Sequence, residues 1–499
     1  MTARARIPEH PVAADKVVAG LEAARADDVD WRGGRVFSLV YHAGAAHEEL
    51  VRRAHAMYAS GNLLNPMAFR GLRRLEAEVV EMSASLLHGP PSCVGAVTSG
   101  GTESILLVVA ALRDRARRQR PWIRSPELVV PRTVHPAFDK AAHYFGVALR
   151  KVEVGEDLRA DVRAMARRIG RSTIGLVGSA PQYAHGVVDR IAELGEVAAR
   201  HELPLHVDAC LGGFVLPWIE RLGRPLPLWD FRVPAVTSMS ADLHKFAYGG
   251  KGASVLLWRS MDFMRHQFFV ATDFPGGIYA SPTLLGTRPG GPVAAAWAAL
   301  RALGAEGYLE LTRDALAAAE AIRAGVRAIP GLALLGHPES TIVAYGAAPG
   351  GPDIYAIADR LEARGWAPDR QQRPPSLHLT CTANHLAVAE AYIADLRAAV
   401  EEVAGNPSLT SSGTAAMYGM MARVPVAGAL GTATRGLLRS SIRKVLESMY
   451  APGAILPDLS DATSSGTVGR LLDRHGARIA GALDAVDRVR TRIRKGLRP

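Results

Sequence analysis

The chain has 499 residues, 48% of them hydrophobic and 21% charged, a balance that is typical of a globular protein and excludes a largely disordered chain. Its net charge is +11, and the basic excess is concentrated in two runs, 113–120 and 488–498. We interpret both runs as solvated surface and expect no nucleic-acid partner, although a basic surface also attracts phosphorylated substrates. The three scattered cysteines indicate no disulfide framework and no metal site, and they favour a reducing, cytoplasmic compartment.

The order of predicted elements indicates three parts. Residues 1–61 are a predicted N-terminal arm without a signal-peptide core, and no apolar run reaches the ~18 residues of a membrane span, so we expect no transmembrane anchor. Across 62–315, helices alternate with short apolar strands, which predicts a large α/β domain with a mainly parallel sheet. Residues 316–499 are a predicted smaller C-terminal α+β domain with a basic tail. The strand candidates are ELVVP, GVALRKVEV, TIGLVGSA, LPLHVDAC, AVTSMSA and ASVLLW.

A glycine-rich loop, TSGGTES, precedes a long predicted helix. Two glycines let the backbone approach an anion, Thr102 and Ser104 offer hydroxyl groups, and the N–H groups at a helix start favour a phosphate. The loop lacks the Gly-Lys-Ser/Thr of a nucleotide-binding P-loop. Glycines in this position can also serve the turn alone.

Three further segments place polar side chains at the ends of predicted strands. His135 follows ELVVP and could lie flat on a cofactor ring, or it could be structural. Asp208 lies near the end of LPLHVDAC, where a buried carboxylate needs a partner such as the pyridinium nitrogen of pyridoxal 5'-phosphate (PLP), unless it caps a turn. Lys245 follows AVTSMSA, and lysine is the side chain that forms a Schiff base with an aldehyde cofactor, although a surface lysine is the alternative.

Taken together, the four segments are more specific than any one of them. A phosphate loop, a ring-stacking histidine, a pyridinium carboxylate and a Schiff-base lysine occur in this order in fold-type I PLP enzymes. The sequence therefore predicts a PLP site on a fold-type I large domain.

Longer motifs extend this similarity from about Tyr41 to about residue 450. They are TSGGTES, HPAFDKAAHYFG, GSAPQYAHGVVD, HVDACLGGF, SADLHKFAYGGKGASV, FFVATDFPGGIYASPTLLGTRPGG and GTAAMYGM. With these motifs the chain resembles the sphingosine-1-phosphate lyase family, within the wider group of PLP-dependent decarboxylase-like enzymes. The resemblance implies a homodimer whose active sites combine residues from both subunits.

The resemblance also implies which residues hold the cofactor. Lys245 matches the Schiff-base lysine, Asp208 the pyridinium partner and His135 the ring-stacking histidine. Gly101 and Thr102 match the loop around the cofactor phosphate. His244, next to Lys245, is a further expected cofactor contact.

The expected substrate contacts follow from the same resemblance. Tyr41 and Tyr183 match aromatic positions near the active site, and Lys251 matches a lysine that contacts the substrate phosphate. Asn62 matches the first residue of a family motif Asn-x-x-His, but this chain has Asn65 where the family has histidine. Because asparagine carries no charge and shuttles no proton, recognition of the substrate phosphate is the least secure part of the match.

The implied reaction is retro-aldol cleavage of a phosphorylated long-chain base, such as sphingosine 1-phosphate, into a long-chain aldehyde and phosphoethanolamine. The base that takes the hydroxyl proton stays open among Tyr41, Tyr183, the released Lys245 and the cofactor phosphate. The alternatives are a PLP-dependent amino-acid decarboxylase, a lyase of a non-phosphorylated β-hydroxy amine, and a PLP-binding protein without turnover.

Overall fold

The computed structural model describes residues 6–26 and 28–411, together with scattered positions between 418 and 450. The predicted basic tail at 488–498 and most of GTAAMYGM lie outside the described residues. In the described part of the chain, every helix is too short or too polar to cross a lipid bilayer.

The described helices and strands alternate through most of the chain. The helices are α1 (Ala14–Arg25), α2 (Ala45–Met57), α3 (Arg70–Leu86), α4 (Gly101–Gln119), α5 (Ala137–Phe145), α6 (Val162–Arg167), α7 (Ile191–Arg200), α8 (Leu216–Arg221), α9 (Met261–Met264), α10 (Gly290–Arg327), α11 (Ile354–Glu362) and α12 (Ala389–Gly405). The strands are β1 (Val94–Thr98), β2 (Glu127–Pro131), β3 (Ala148–Val152), β4 (Thr173–Ser179), β5 (Leu205–Asp208), β6 (Val236–Ala241), β7 (Ser254–Trp258), β8 (Phe269–Ala271), β9 (Tyr279–Ser281), β10 (Leu332–Leu334), β11 (Ile342–Ala347), β12 (Asp369–Gln372) and β13 (Pro375–Thr380).

The larger sheet has seven strands in the order β1-β7-β6-β5-β4-β2-β3. Strands β6, β5, β4, β2 and β3 pair in parallel, whereas β7 is antiparallel to both of its neighbours. This confirms the predicted mainly parallel sheet, and each strand candidate of the large domain contains a strand. Strand β1 was not predicted, because its sequence VGAVT is short and only its last three residues are buried.

The carboxyl ends of the parallel strands lie along one edge of this sheet. His135 follows β2, Tyr183 follows β4, Asp208 ends β5 and Lys245 follows β6. Since β6, β5, β4 and β2 are consecutive neighbours, these four residues are brought to the same edge. Ligands of α/β proteins bind at such an edge.

The second sheet has four antiparallel strands in the order β10-β11-β13-β12. Its core is built around large aromatic side chains, among them Tyr345, Trp366 and Tyr392. Helix α10 runs through the predicted boundary at 315/316 and contains one non-helical residue, Gly304, at φ 55°. The division into an arm and two domains therefore stays a prediction.

The extended segment after α1 is attached to the second sheet. Ala367 N–H donates to the Arg35 carbonyl and Thr380 N–H to the Phe37 carbonyl, each at 2.9 Å. The Phe37 ring, fully buried, stacks on His385 with centroids 4.5 Å apart. These contacts fix the position of Tyr41, which is four residues further along the chain.

Candidate active site

Lys245 is held by a buried carboxylate three residues before it. Its Nζ lies 2.9 Å from Asp242 Oδ2, and the lysine side chain is 24% exposed against 3% for Asp242. Burial opposes the charge on Lys245, but Asp242 together with Cys210 and Tyr41 outweighs it, so the pKa of Lys245 is raised. The amine is therefore an ammonium ion here, and it must lose a proton before it can attack an aldehyde.

Asp208 ends β5 beside this pair, in a network of small polar side chains. Its Oδ1 accepts a hydrogen bond from Cys210 N–H at 3.1 Å and one from the Ser240 hydroxyl at 3.4 Å. Below it, His206 is fully buried, with Nδ1 2.9 Å from Ser238 Oγ and Nε2 3.4 Å from Ser240 Oγ. Neutral hydrogen bonds thus orient the Asp208 carboxylate and leave it available to a cationic ring nitrogen.

The glycine-rich loop approaches Asp242 and Cys210. A Cβ at Gly101 would lie 2.7 Å from Asp242 Oδ1 and 2.7 Å from Cys210 Sγ, so a side chain there would fill the space between loop and strand ends. Thr102 is exposed in the first turn of α4, and no side chain caps that helix start. Ser104, however, is buried and bonded to the Thr98 hydroxyl at 2.7 Å, so the expectation that it offers a free hydroxyl was wrong.

This space and its lining fit PLP. A helix start with free N–H groups suits a phosphate, a buried carboxylate suits a pyridinium nitrogen and a lysine suits an aldehyde. The group that combines all three functions is PLP. We name Gly101, Asp208, Asp242 and Lys245 the strand-edge cluster.

The two histidines predicted for the cofactor differ in their surroundings. His135 is half-buried at the edge, and its Nδ1 accepts a hydrogen bond from Ala137 N–H at 3.2 Å, which fixes the ring. His244 Nε2 lies 3.7 Å from Asp242 Oδ2, and burial lowers the pKa of His244. Stacking of His135 on the cofactor ring stays a prediction, as does a cofactor contact of His244.

Tyr41 and Lys251 face the strand-edge cluster from the other side. The Tyr41 ring packs edge-on against Phe246 with centroids 5.0 Å apart, and Lys251 Nζ lies 5.5 Å from the Tyr41 ring centroid. Burial raises the pKa of Tyr41 to about 12 in spite of the nearby Lys245. Burial and the charge of Lys245 lower the pKa of Lys251 to about 8, while its Nζ donates to the carbonyls of Leu39 and His244.

Tyr183 turns towards the second sheet. Its hydroxyl donates to Asp369 Oδ2 at 2.7 Å, and its ring stacks on His378 with centroids 4.2 Å apart. Its proton is held by a carboxylate, and burial raises its pKa. Tyr183 therefore packs against His378, and His378 in turn contacts Thr380. We name Tyr41, Lys251, Thr380 and His378 the wall cluster.

The two asparagines predicted for the substrate phosphate have backbone partners. Asn62 Oδ1 accepts from Leu64 N–H at 2.9 Å and from Arg288 N–H at 3.3 Å. Asn65 is exposed, and its Oδ1 accepts from Ala68 N–H at 3.1 Å. Both carboxamides thus shape the loop before α3, and contact of either with a substrate phosphate stays a prediction.

The sequence analysis missed Asp242, His378 and Thr380. Asp242 had a usable signal, since a carboxylate in a buried segment needs a cationic partner, and Lys245 is three residues away. His378 and Thr380 lie in the strand PSLHLT, outside all of the motifs, and no local pattern connects them to the site.

The sequence is similar to known proteins over most of its length. A family model described as the pyridoxal-dependent decarboxylase conserved domain matches residues 66–347. The sphingosine-1-phosphate lyase of Oryza sativa subsp. japonica is 42% identical, over 83% of this chain and 78% of that protein. Sphingosine-1-phosphate lyase 1 of Rattus norvegicus is 40% identical, over 89% of this chain and 77% of that protein.

Solved structures support the same family. A Burkholderia pseudomallei sphingosine-1-phosphate lyase has a TM-score of 0.80 at 36% identity, and the match covers 91% of this chain and 98% of that one. A Lactobacillus brevis glutamate decarboxylase has a TM-score of 0.71 at 20% identity, over 81% of this chain and 96% of that one. The second likeness bears on the fold alone.

Proposed function

The chain belongs to the sphingosine-1-phosphate lyase family of pyridoxal-dependent enzymes, and we propose that it cleaves a phosphorylated long-chain base into a long-chain aldehyde and phosphoethanolamine. The observation that carries this proposal is that the strand-edge cluster and the wall cluster lie close to each other. Lys251 Nζ lies 5.5 Å from the Tyr41 ring centroid, and the charge of Lys245 acts on the pKa of both residues. A substrate amine that takes the place of Lys245 would therefore have a hydroxyl and a cation within its surroundings.

The strand-edge cluster would hold PLP and its proton. When bound, PLP supplies an electron sink for the bond that breaks. Asp208 would keep the ring nitrogen protonated, and its neutral hydrogen bonds preserve the carboxylate charge for that purpose. Asp242 would hold Lys245 beside the cofactor, because its Oδ2 is already 2.9 Å from Nζ.

The wall cluster would bind the head group of the substrate. Lys251 Nζ lies 5.5 Å from the Tyr41 ring centroid, and a phosphate would replace the two backbone carbonyls that now accept from its Nζ. An anion beside Lys251 would raise its pKa from about 8 and keep it charged in the complex. Phosphate recognition through Lys251 requires no histidine at position 65.

We further propose a homodimer with shared active sites. The segment from Gln267 to Leu285 exposes large apolar side chains, which are Phe268, Phe269, Val270, Phe274, Ile278, Leu284 and Leu285. Leu284 N–H donates to Glu103 Oε1 in the first turn of α4, so this apolar segment borders the phosphate loop. Light scattering that gives the mass of one chain would contradict the dimer.

We also propose a cytoplasmic location. The free state of Cys93, Cys210 and Cys381 supports it, because a reducing compartment keeps thiols free.

The reaction is tested by identifying which bond breaks. Purified protein with added PLP is incubated with a phosphorylated long-chain base, and in parallel with amino acids, and the products are followed by mass spectrometry and by CO2 release. We expect long-chain aldehyde and phosphoethanolamine without CO2. Release of CO2 from an amino acid without aldehyde would replace the lyase by a decarboxylase.

A further inference from the structure

A wide groove lies against β3, the outermost strand of the larger sheet. Its volume is about 630 Å³, within the range of ligand sites. Its lining combines β3 and α5 with the ends of β2 and α6 and with the turn between β12 and β13. Six cations line it, which are Arg132, Arg150, Lys151, Arg168, Arg373 and Arg439. We name these six side chains the basic groove.

The basic groove keeps a positive charge after its own ion pairs are formed. Among the described residues that line it, one is acidic, Asp139, and its Oδ2 lies 2.7 Å from Lys151 Nζ. Arg132 and Arg150 each pair with one glutamate outside the lining. Arg168 and Arg439 are exposed, and neither has an ion pair in the part of the chain that the structure describes.

Protection of an edge strand explains only part of this charge. Cations on an outer strand hinder its pairing with other strands, and this would explain Arg150 and Lys151. The other four cations lie outside β3 and come from four separate segments of the chain. Their convergence on one groove favours an anionic ligand.

One end of the basic groove adjoins the edge of the sheet that carries the predicted cofactor site. Arg132 directly follows β2 and lies three residues before His135. Near Arg373, the Gln371 side chain donates at 2.6 Å to the carbonyl of Ala184, which follows Tyr183. An anion bound in the groove would therefore be a neighbour of the candidate active site.

We propose that the basic groove docks the protein on a lipid surface by binding anionic head groups. This inference rests on the proposed function, because a long-chain base is amphiphilic and partitions into lipid bilayers. Arginine clusters recognise the phosphate and carboxylate groups of anionic lipids by charge-assisted hydrogen bonds. Docking here brings the candidate active site close to the bilayer that contains its substrate.

Binding to vesicles tests the docking without turnover. The full chain is sedimented with vesicles of equal parts phosphatidylserine and phosphatidylcholine, and with vesicles of phosphatidylcholine alone. We expect retention on the anionic vesicles only, and release at high salt. Because each positive charge near an anionic bilayer strengthens binding about fivefold, the double variant Arg168→Glu/Arg439→Glu should bind at least ~25-fold more weakly.

A matched double variant separates the groove from the net charge of the protein. Arg327→Glu/Arg397→Glu makes the same change in charge at exposed positions of α10 and α12. At ~0.1 M salt, charges further than ~10 Å from the lipid are largely screened, so this variant should bind nearly as the wild type does. Equal losses in the two double variants, or full retention of the groove variant, would overturn the docking. Preference for duplex DNA over anionic vesicles would also overturn it and assign the groove to nucleic acid.

Substrate in two physical forms distinguishes the docking from the proposed function. For a phosphorylated long-chain base dispersed in detergent, the groove variant should match the wild type. For the same base in anionic vesicles, its kcat/KM should fall with its vesicle binding. Aldehyde from dispersed substrate by a protein that ignores vesicles would overturn the docking alone. Groove-dependent vesicle binding without aldehyde from either form would overturn the proposed function and support the docking.

Discussion

The two sides of the site are built in different ways. Most of the strand-edge cluster comes from the ends of two neighbouring strands, since Asp208 ends β5 while Asp242 and Lys245 follow β6; Gly101 joins them from the start of α4. The wall cluster combines residues 41, 251, 378 and 380, which only the tertiary fold brings together. The proposed cofactor site is therefore set by local strand geometry, whereas the proposed substrate site depends on long-range contacts.

Removing Lys245 should have the largest effect, because it removes the amine that would bind PLP in the strand-edge cluster. In Lys245→Ala we expect loss of the visible absorbance of lysine-bound PLP and a fall in kcat of at least ~1000-fold, as for other covalent-catalysis residues. Far-ultraviolet circular dichroism of the variant controls for folding. An unchanged absorbance band would mean that another amine binds the cofactor.

Substitution of Lys251 in the wall cluster should reduce the preference for phosphorylated substrates and leave PLP bound. Lys251→Ala removes a charge-assisted contact of ~1.5–3 kcal/mol, so kcat/KM for a phosphorylated base should fall roughly 10- to 100-fold. For the unphosphorylated twin the loss should be much smaller, and the PLP spectrum should stay intact. Lys151→Ala, which removes a lysine of the outer strand β3, is the matched control. An equal loss on both substrates would remove the phosphate role of Lys251.

His206, the buried histidine beside Asp208, should make the free energy of unfolding depend on pH. Burial lowers the pKa of His206 to about 4, while Asp208 opposes the shift. Between about pH 6.5 and 4 the unfolded chain therefore binds a proton that the native state does not, and stability falls with falling pH by up to ~1.4 kcal/mol per pH unit. His206→Asn should make the slope of unfolding free energy against pH shallower in that window. Parallel curves for wild type and variant would contradict this assignment.

The loop before α3 should give the smallest effect. Asn65→Ala removes one exposed hydrogen bond, to Ala68 N–H, and should lower the free energy of unfolding by only ~0.5–1.5 kcal/mol in denaturant titrations. If the variant instead loses its preference for phosphorylated substrate, Asn65 belongs to the wall of the site.

The same contrast explains what could be predicted from the sequence. Asp208 ends one apolar strand and Lys245 follows the next, and neighbouring parallel strands place their carboxyl ends together, so local patterns predicted that the two residues lie at one edge. His378 lies in a strand without a recognisable motif, and its role depends on the packing of Tyr183 and the Tyr41 segment. Ser104 was misjudged because a hydroxyl in a glycine-rich loop can satisfy its neighbour Thr98 as well as a phosphate.

The most direct test compares a phosphorylated long-chain base with its unphosphorylated twin in one assay. Protein saturated with PLP is given each substrate separately, long-chain aldehyde is quantified by mass spectrometry, and Lys245→Ala supplies the blank. We predict aldehyde from the phosphorylated base, with a much higher kcat/KM than for its twin. Absence of aldehyde from both substrates, in protein that has bound PLP through Lys245, would contradict the proposed lyase activity.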